Sequence, residues 1–310
     1  MNFRKALIPV EQVPEVAQER IGELSSSGTF ELGVYTLGTW SHSKCKTLIK
    51  CPLKFLLDYI LKVSVQDTME RDDTSVLRHI GTAAHTILEF ARQGTDLQEA
   101  YDKAREMHLE EVTEEYWERV ELLKPNIREF LHRLRMFEIQ NPVKEAHTEL
   151  KIAVDRDWNP VNFFDKKAFF RGVIDLPIHL KNNDAVILDH KHGGNPEFGL
   201  RNYEDQLDSY GALYMFGVAP ADGIATGINF IKEGGILIGP RKPASYYEKV
   251  PDRILATTKS GIMCVEDNKK FIHSRNTLCQ YCEFKPICHG GKRGTSNLLQ
   301  DVVEQSKELL

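Results

Sequence analysis

Asp189 and Lys191 stand two residues apart at the end of an apolar run, Ala185-Val186-Ile187-Leu188. Residues two apart on an extended strand point to the same face, so a carboxylate and an ammonium address one site. A second apolar segment, Phe170 to Ile174, ends on Asp175 and can bring another carboxylate there. Carboxylate oxygens suit magnesium or manganese, which keep waters and take substrate phosphate oxygens as further ligands. Such an ion polarises a phosphoryl group and supplies hydroxide near neutral pH, while a lysine holds the attacking water or offsets developing charge. The chemistry predicted is hydrolysis of a phosphodiester. Each segment alone also reads as a strand-end aspartate capping a turn; the pair, with a lysine in register, favours the site.

Other polar residues join by spacing. His85 follows Gly81-Thr82-Ala83-Ala84 in a helix predicted over 80–93 from Ile80, Ala84, Ile87, Leu88 and Ala91. Gly81, Ala83 and Ala84 let that helix approach a neighbour closely. A lone helix histidine reads as an ordinary core or surface residue, and His85 gains weight only from its company. Glu149 precedes Leu150, Ile152 and Val154, whose alternation with Lys151 and Ala153 predicts a strand. It is expected on the face opposite Leu150 and Ile152, joining the site or pairing with a lysine. Gln206 and Tyr210 lie one turn apart on a helix predicted over 202–217. Both can hydrogen-bond a phosphate or base and the tyrosine can stack; an ordinary amphipathic helix is the alternative.

The elements that must position these residues follow from the rest of the chain. At 310 residues, 41% apolar and 27% charged, it has the composition of a soluble globular protein, with no apolar stretch near the roughly 20 residues of a membrane span. No signal-length apolar segment follows Arg4 and Lys5, which predicts a cytoplasmic protein. A formal charge of -5 argues against a surface that is basic throughout, so contact with nucleic acid is confined to one face. Ser25-Ser26-Ser27-Gly28 reads as a loop in a peripheral segment, 1–40. A helix is expected within 36–62, with Pro52 at a helix start. Residues 96–140 read as a helical insert, acidic up to 122 and broken by Pro125. Strands are expected near 150–154, 168–176, 184–189, 224–231 and 235–250, and a short helix near 262–272. Helices, then strands, a helix and further strands predict an α/β fold, a mixed sheet flanked by helices.

Four motifs now stand in order: Gly-x-x-x-His at 81–85, Gly-x-x-Asp at 172–175, Asp-x-Lys at 189–191 and Gln-x-x-x-Tyr at 206–210. This set resembles the RecB-like branch of the PD-(D/E)XK nucleases, a likeness that runs from about residue 41 to 292 and implies a nuclease domain there, with 1–40 a peripheral segment and 293–310 a tail. The resemblance implies a small mixed sheet flanked by helices, with His85, Asp175, Asp189 and the His190 carbonyl holding Mg2+ or Mn2+. Lys191 would be the catalytic lysine, and Gln206 and Tyr210 would contact the DNA strand near the cut. Two departures stand out. Ile174 precedes Asp175 where proline is common, and His190 and His192 flank Lys191 where tyrosine and threonine are frequent. His190 is expected on the strand face opposite Asp189. His192, an imidazole titrating near neutrality, can tune pH dependence or simply face solvent.

Six cysteines occur, at 45, 51, 264, 279, 282 and 288. In a large chain without secretory features they read as metal ligands more readily than as disulfides. Cys279, Cys282 and Cys288 form a C-x2-C-x5-C array that needs a fourth ligand from Cys45, Cys51, Cys264 or His289. Cys51-Pro52-x-x-Phe55 together with that array resembles the iron–sulfur staple of AddB-type subunits and CRISPR-adaptation exonucleases. The resemblance implies a [4Fe-4S] cluster on Cys51, Cys279, Cys282 and Cys288, with Zn2+ as the alternative and Cys45 and Cys264 left as plain thiols. The leading expectation is a metal-dependent exonuclease acting on single-stranded DNA or DNA ends in recombination, repair, phage or CRISPR processing. The second is a non-catalytic DNA-binding or scaffold subunit of a larger complex. No P-loop motif occurs, so a helicase partner would be a separate chain.

Overall fold

The structure is a computed structural model that describes residues 6–8, 12, 15–17, 19–20, 38–65, 73–108, 112–194, 196–268, 274–276, 279, 282–285 and 288. The expected loop at 25–28, Gln280, Tyr281, His289 and the tail 293–310 lie outside the described residues. The chain divides into two compact units, residues 1–70 with 252–310, and residues 71–251.

In the smaller unit, strand β1 (Ala6–Ile8) leads in the chain and helix α1 (His42–Lys50) follows. The Ser41 side chain caps α1 by accepting from the Lys44 backbone N–H, leaving one fewer unpaired donor at the first turn. Cys51 is extended between α1 and α2 (Pro52–Phe55), and Pro52 occupies the first turn, where its missing N–H costs nothing. A π-helical turn, Leu56–Ile60, leads into β2 (Val63–Val65), which pairs in parallel with β1.

The larger unit opens with four helices: α3 (Asp73–Arg92), α4 (Leu97–Met107), α5 (Glu114–Glu121) and α6 (Lys124–Gln140). Pro125 sits in the first turn of α6, so it starts a helix as well as ending the preceding run. Strands β3 (Val143–Ala146), β4 (Leu150–Val154), β5 (Pro160–Val161), β6 (Phe170–Ile174), β7 (Leu176–Leu180) and β8 (Asp184–Lys191) follow. Helix α7 (Glu204–Gly217) leads to β9 (Gly223–Phe230), β10 (Gly235–Ile238), β11 (Lys242–Pro243) and the short helix α8 (Ala244–Tyr247). Helix α9 (Val250–Asn268) comes next, and the boundary between the two units falls in its first turn.

The main sheet has the order β10-β9-β8-β7-β3, with β11 also on β9; a second sheet runs β5-β4-β6. Within these two sheets, among the described residues, only β8 and β9 pair in parallel, and α7 makes the crossover that such a pair requires. Ile80, Ile87, Trp117, Phe130 and Leu134 from α3, α5 and α6 share one core with Leu176, Ile178, Val186 and Leu188 of the sheet. The 96–140 segment, expected as an insert, thus supplies most of the helical layer on that sheet face. The result is a mixed sheet flanked by helices.

Three expected elements are redrawn. The strand expected over 168–176 breaks at Asp175: Ile174 pairs with Leu150 in one sheet, and Leu176 pairs with Leu188 in the other. β7 carries no alternation because all five residues are buried, and Pro177 sits inside it, which argues against a strand in sequence. The strand expected over 235–250 stops early, since Gly239-Pro240 ends β10 and 244–247 turn helical. The short helix expected near 262–272 is, over 262–268, the C-terminal part of α9, which begins at Val250; residues 269–272 lie outside the described residues. Among the described residues no helix is long and apolar enough to cross a membrane.

Candidate active site

Asp175 occupies the junction where the chain leaves one sheet for the other, and its Oδ2 accepts a hydrogen bond from the His190 backbone N–H at 2.6 Å. His85 enters from α3: its Nε2 lies 3.0 Å from the His190 carbonyl oxygen, and its Nδ1 is 3.7 Å from Asp175 Oδ2 and 3.5 Å from Glu149 Oε1. Gly81, one turn earlier, permits this approach, because a Cβ there would lie 3.3 Å from the Cβ of His192. One ligand atom from each of His85, Glu149 and Asp175 falls within 4.8 Å of the others, the only such group among the described residues.

Asp189 and Lys191 share a face at the end of β8, with Lys191 Nζ 2.6 Å from Asp189 Oδ2 in an ionic contact. The other carboxylate oxygen accepts from Gln206 Nε2 at 3.2 Å, and the same amide donates to the Tyr210 hydroxyl at 2.9 Å. The helix bearing them packs closely on β6: a Cβ at Gly172 would meet Leu213 at 2.9 Å and the Tyr210 ring at 3.4 Å. The glycine of the Gly-x-x-Asp pattern is therefore where α7 seats, and Gln206 and Tyr210 hold Asp189 in orientation.

His190 contributes its backbone to the site and its ring elsewhere, as the strand alternation predicts. The ring is buried, edge-on to Phe130 and His85, with Nδ1 3.2 Å from Asn229 Nδ2. Burial first, then the charges of His85 and Lys191, hold its pKa far below the ordinary imidazole range, so it is neutral.

Electrostatics in the cluster run the other way. Burial, reinforced by the Asp189 carboxylate, pushes Asp175 up to about 7. Burial also raises Asp189, with Lys191 and His85 opposing it. Burial alone would lower His85, but its contact with Glu149 and the charge of Asp175 leave it raised. Tyr210 is raised by burial and then by Asp189, so its phenol keeps its proton. Buried carboxylates crowded at this density favour either protons or a cation. The donors, three carboxylates, one imidazole and one backbone carbonyl, are mostly oxygen and fit a hard divalent ion such as Mg2+ or Mn2+.

Glu149 is the residue that sequence placed loosely. It is not part of a strand alternation: its φ is +49°, and its N–H bonds the Asp175 carbonyl at 3.0 Å. The left-handed turn, rarely adopted outside glycine, swings its carboxylate to His85. No periodicity reports such a turn.

The cysteines lie in the smaller unit. Lys285 N–H bonds the Cys282 carbonyl and Cys288 N–H the Phe284 carbonyl. Lys54 reaches Asp58 and Glu283 and lies 5.0 Å over the buried Phe284 ring, which docks this segment on α2. Asn276 Nδ2 donates to the Lys50 carbonyl, next to Cys51, and Asn276 N–H contacts Cys279 Sγ at 3.3 Å. The Cys282 thiol is raised by burial, with Cys51 and Cys288 close enough to add to the rise. Four thiols from distant parts of the sequence therefore gather in one region. Cys45 is buried and 3.3 Å from the Thr258 hydroxyl, and Cys264 is exposed. A thiolate set of this kind fits an iron–sulfur cluster or zinc.

Comparison with known proteins adds three findings. The family model described as PD-(D/E)XK nuclease superfamily matches residues 39–289. A crystal structure of SSO0001 is similar over 89% of this chain and 95% of its own, at 14% identity and a TM-score of 0.37. A structure from Eubacterium rectale, designated a candidate exonuclease, is similar over 82% of this chain and 90% of its own, at 11% identity and a TM-score of 0.46. No curated protein matches the chain.

Proposed function

Because this chain belongs to the PD-(D/E)XK nuclease superfamily, we propose that it is a metal-dependent exonuclease that hydrolyses phosphodiester bonds of single-stranded DNA or DNA ends. The observation that carries the reading is the convergence of His85, Glu149 and Asp175 within 4.8 Å, beside the Asp189–Lys191 pair. His85, Asp175, Asp189 and the His190 carbonyl would hold the ion, and Glu149 joins them as a fifth donor. When bound, Mg2+ or Mn2+ supplies Lewis-acid polarisation of the phosphoryl group and lowers the pKa of water. Lys191 positions the attacking water against Asp189 and offsets charge developing on the phosphoryl oxygens. Gln206 holds Asp189 by one oxygen, and Tyr210, protonated, holds Gln206 and offers its hydroxyl edge to the strand near the cut. The neutral ring of His190, wedged between Phe130 and Asn229, keeps its backbone N–H on Asp175 and its carbonyl toward His85.

The test is cleavage of end-labelled oligodeoxynucleotides with Mg2+ or Mn2+, comparing free-ended with circular or end-blocked DNA. Wild type is expected to require the ion and a free end, and Asp189→Ala to be inactive. Undiminished cleavage by Asp189→Ala would sink the assignment, and equal cleavage of circular DNA would replace the exonuclease reading with an endonuclease one.

For the smaller unit, the gathered thiols support a [4Fe-4S] cluster on Cys51, Cys279, Cys282 and Cys288. Bound there, it would tie the helix at 52–55 to the segment at 279–288 across a loop of more than 200 residues, a structural staple. Anaerobically purified protein is expected to be brown with absorbance near about 400 nm, and Cys282→Ala to lose that colour. Colourless protein carrying one zinc per chain would overturn the cluster in favour of zinc.

A further inference from the structure

The second sheet carries a face that the proposed catalysis leaves unused. β4 and β6 pair so that Lys151 lies opposite Val173 and Ala153 opposite Arg171. Opposed residues, and residues two apart on a strand, share a face. Lys151, Val173 and Arg171 therefore lie on one face. Ile152 and Gly172 lie on the other, where α7 packs: a Cβ at Gly217 would meet Ile152 at 2.4 Å, and one at Gly172 would meet Leu213 at 2.9 Å. Val173 has Asp175 two residues after it and Arg171 two residues before it. Lys151 is thus the diagonal neighbour of Arg171, about 7–8 Å away. Lys151 also lines the cleft of about 640 Å3 that His85, Glu149 and Lys191 line. A row of two cations leads out of the cleft along the sheet.

The row ends on aromatic rings. The Arg171 guanidinium lies 5.1 Å from the centroid of the Phe163 ring, and its Nη1 donates to the Phe163 carbonyl at 3.4 Å. Phe164 meets the Phe163 ring edge to face at 5.2 Å. At 77% exposed, Phe164 is the most open large apolar side chain among the described residues. The loop that presents it is fixed. Asn162 Oδ1 accepts from Phe164 N–H at 3.1 Å, the Asn162 carbonyl from Asp165 N–H at 2.9 Å, and the Asp165 carboxylate from Lys167 N–H at 2.8 Å. Residues 150–174 hold five lysines and arginines against three aspartates, a basic stretch in a chain of net charge -5. Neither Lys151 nor Arg171 forms an ion pair among the described residues, whereas Arg92 and Arg241 close onto carboxylates at 2.7 Å. Cations along a path that ends on an open ring are the parts of a single-strand platform, where charge follows the backbone and the ring stacks on a base. We propose that this face guides an unpaired DNA strand out of the cleft, with Lys151 and Arg171 on its phosphates and Phe164 stacked on a base. It rests on the nuclease reading for its place beside a cut. A duplex keeps its bases stacked on one another, so Phe164 selects an unpaired strand and does so without base preference.

The test uses the full chain and a fluorescein-labelled oligothymidylate, with binding read by anisotropy in EDTA and cleavage read in Mn2+. An abasic strand of the same length keeps the phosphates and lacks the bases. Phe164→Ala is expected to weaken oligothymidylate binding about tenfold and to leave the abasic strand and a blunt duplex within about twofold. Phe164→Trp is expected to keep wild-type affinity. Lys151→Ala/Arg171→Ala is expected to weaken both single strands and to flatten the salt dependence of log Kd by about 1.4, two phosphate contacts at about 0.7 each. Leu122→Ala removes an equally open apolar side chain, 76% exposed, and is expected to change none of these. In Mn2+ Phe164→Ala is expected to raise KM about tenfold with kcat within about threefold. Oligothymidylate binding unchanged in Phe164→Ala would overturn the strand guide and leave the ring to a protein partner. Equal weakening on the abasic strand would overturn it as well, because no base would then be stacked. Either result in an enzyme that still cleaves leaves the nuclease reading intact. Wild type that binds through Phe164 but never cleaves would keep the guide and remove the nuclease reading. Wild type that neither binds nor cleaves would remove both.

Discussion

Lys191→Ala is expected to lower metal-dependent DNA cleavage by about a thousandfold, with the loss in kcat and with Mn2+ affinity held within about threefold. The ammonium is the only cation in contact with Asp189 among the described residues, at 2.6 Å, and that carboxylate is 2% exposed. A charge in so dry a setting acts on a developing oxyanion far more strongly than it would in water. It touches no other proposed ion ligand, so its removal should spare ion binding once Asp189 is ionised. Affinity is therefore read by calorimetry at pH 8, where the carboxyl made more basic by losing its counter-charge competes least with the ion. Lys191→Arg is not expected to rescue, since a planar fork on a longer stem cannot take the place of a compact ammonium. Retention of more than a tenth of wild-type kcat by Lys191→Ala would remove the lysine from the chemistry.

Asp175→Asn is expected to inactivate the enzyme and yet to stabilise the metal-free protein at neutral pH. Asp175 rises from 3.8 to about 7 on folding, which corresponds to about 4 kcal/mol across the titration. Its folded value lies above its unfolded one. The stability it contributes is therefore complete below the unfolded value, is lost as pH climbs, and is fully gone above about 7. Asparagine escapes that loss and keeps an oxygen to accept from His190 N–H. The His85 charge recovers part of the penalty in wild type, so the expected gain at pH 7.5 is about 1–3 kcal/mol. The gain should vanish near pH 4. His190 and His192, both lowered, lose stability on the acid side, but they are common to both proteins and cancel in the difference. Urea unfolding in EDTA from pH 4 to 8 measures it, and a difference that does not change with pH would contradict the buried-carboxylate account. Millimolar Mn2+ should then stabilise wild type more than the variant, by mass action on the native state.

The expected cost at Asp175 and the role proposed for Lys191 share one cause. The site holds its carboxylates and ammonium where water cannot neutralise them, which strains the empty protein and strengthens every interaction with a cation or phosphate. Such sites trade stability for function.

Much of this site is legible in one dimension, and the reason is local. Asp189 and Lys191 fall on one strand face because extended backbone repeats every two residues, and Gln206 and Tyr210 on one helix face because four residues make a turn. Gly81 and Gly172 stand where helices must approach strands closely, so their place in the motifs is itself a packing signal. The helical layer and the crossover helix were legible for the same reason of periodicity, and β8 as a short apolar run ending on Asp189.

What the tertiary structure decided lies where periodicity is silent. β7 is buried along its whole length and contains a proline, so no alternation marks it, and Asp175 could be located at a sheet junction only once β7 was paired with β8. Glu149 joins the site through a left-handed turn that no pattern encodes. The His190 ring is neutral because Phe130 and Asn229 enclose it. Sequence by itself determined which residues could do chemistry together, since spacing along an element is a property of the chain. Only the tertiary structure decided which of them share a dry pocket, because burial and mutual distance between elements depend on how the sheet and helices pack.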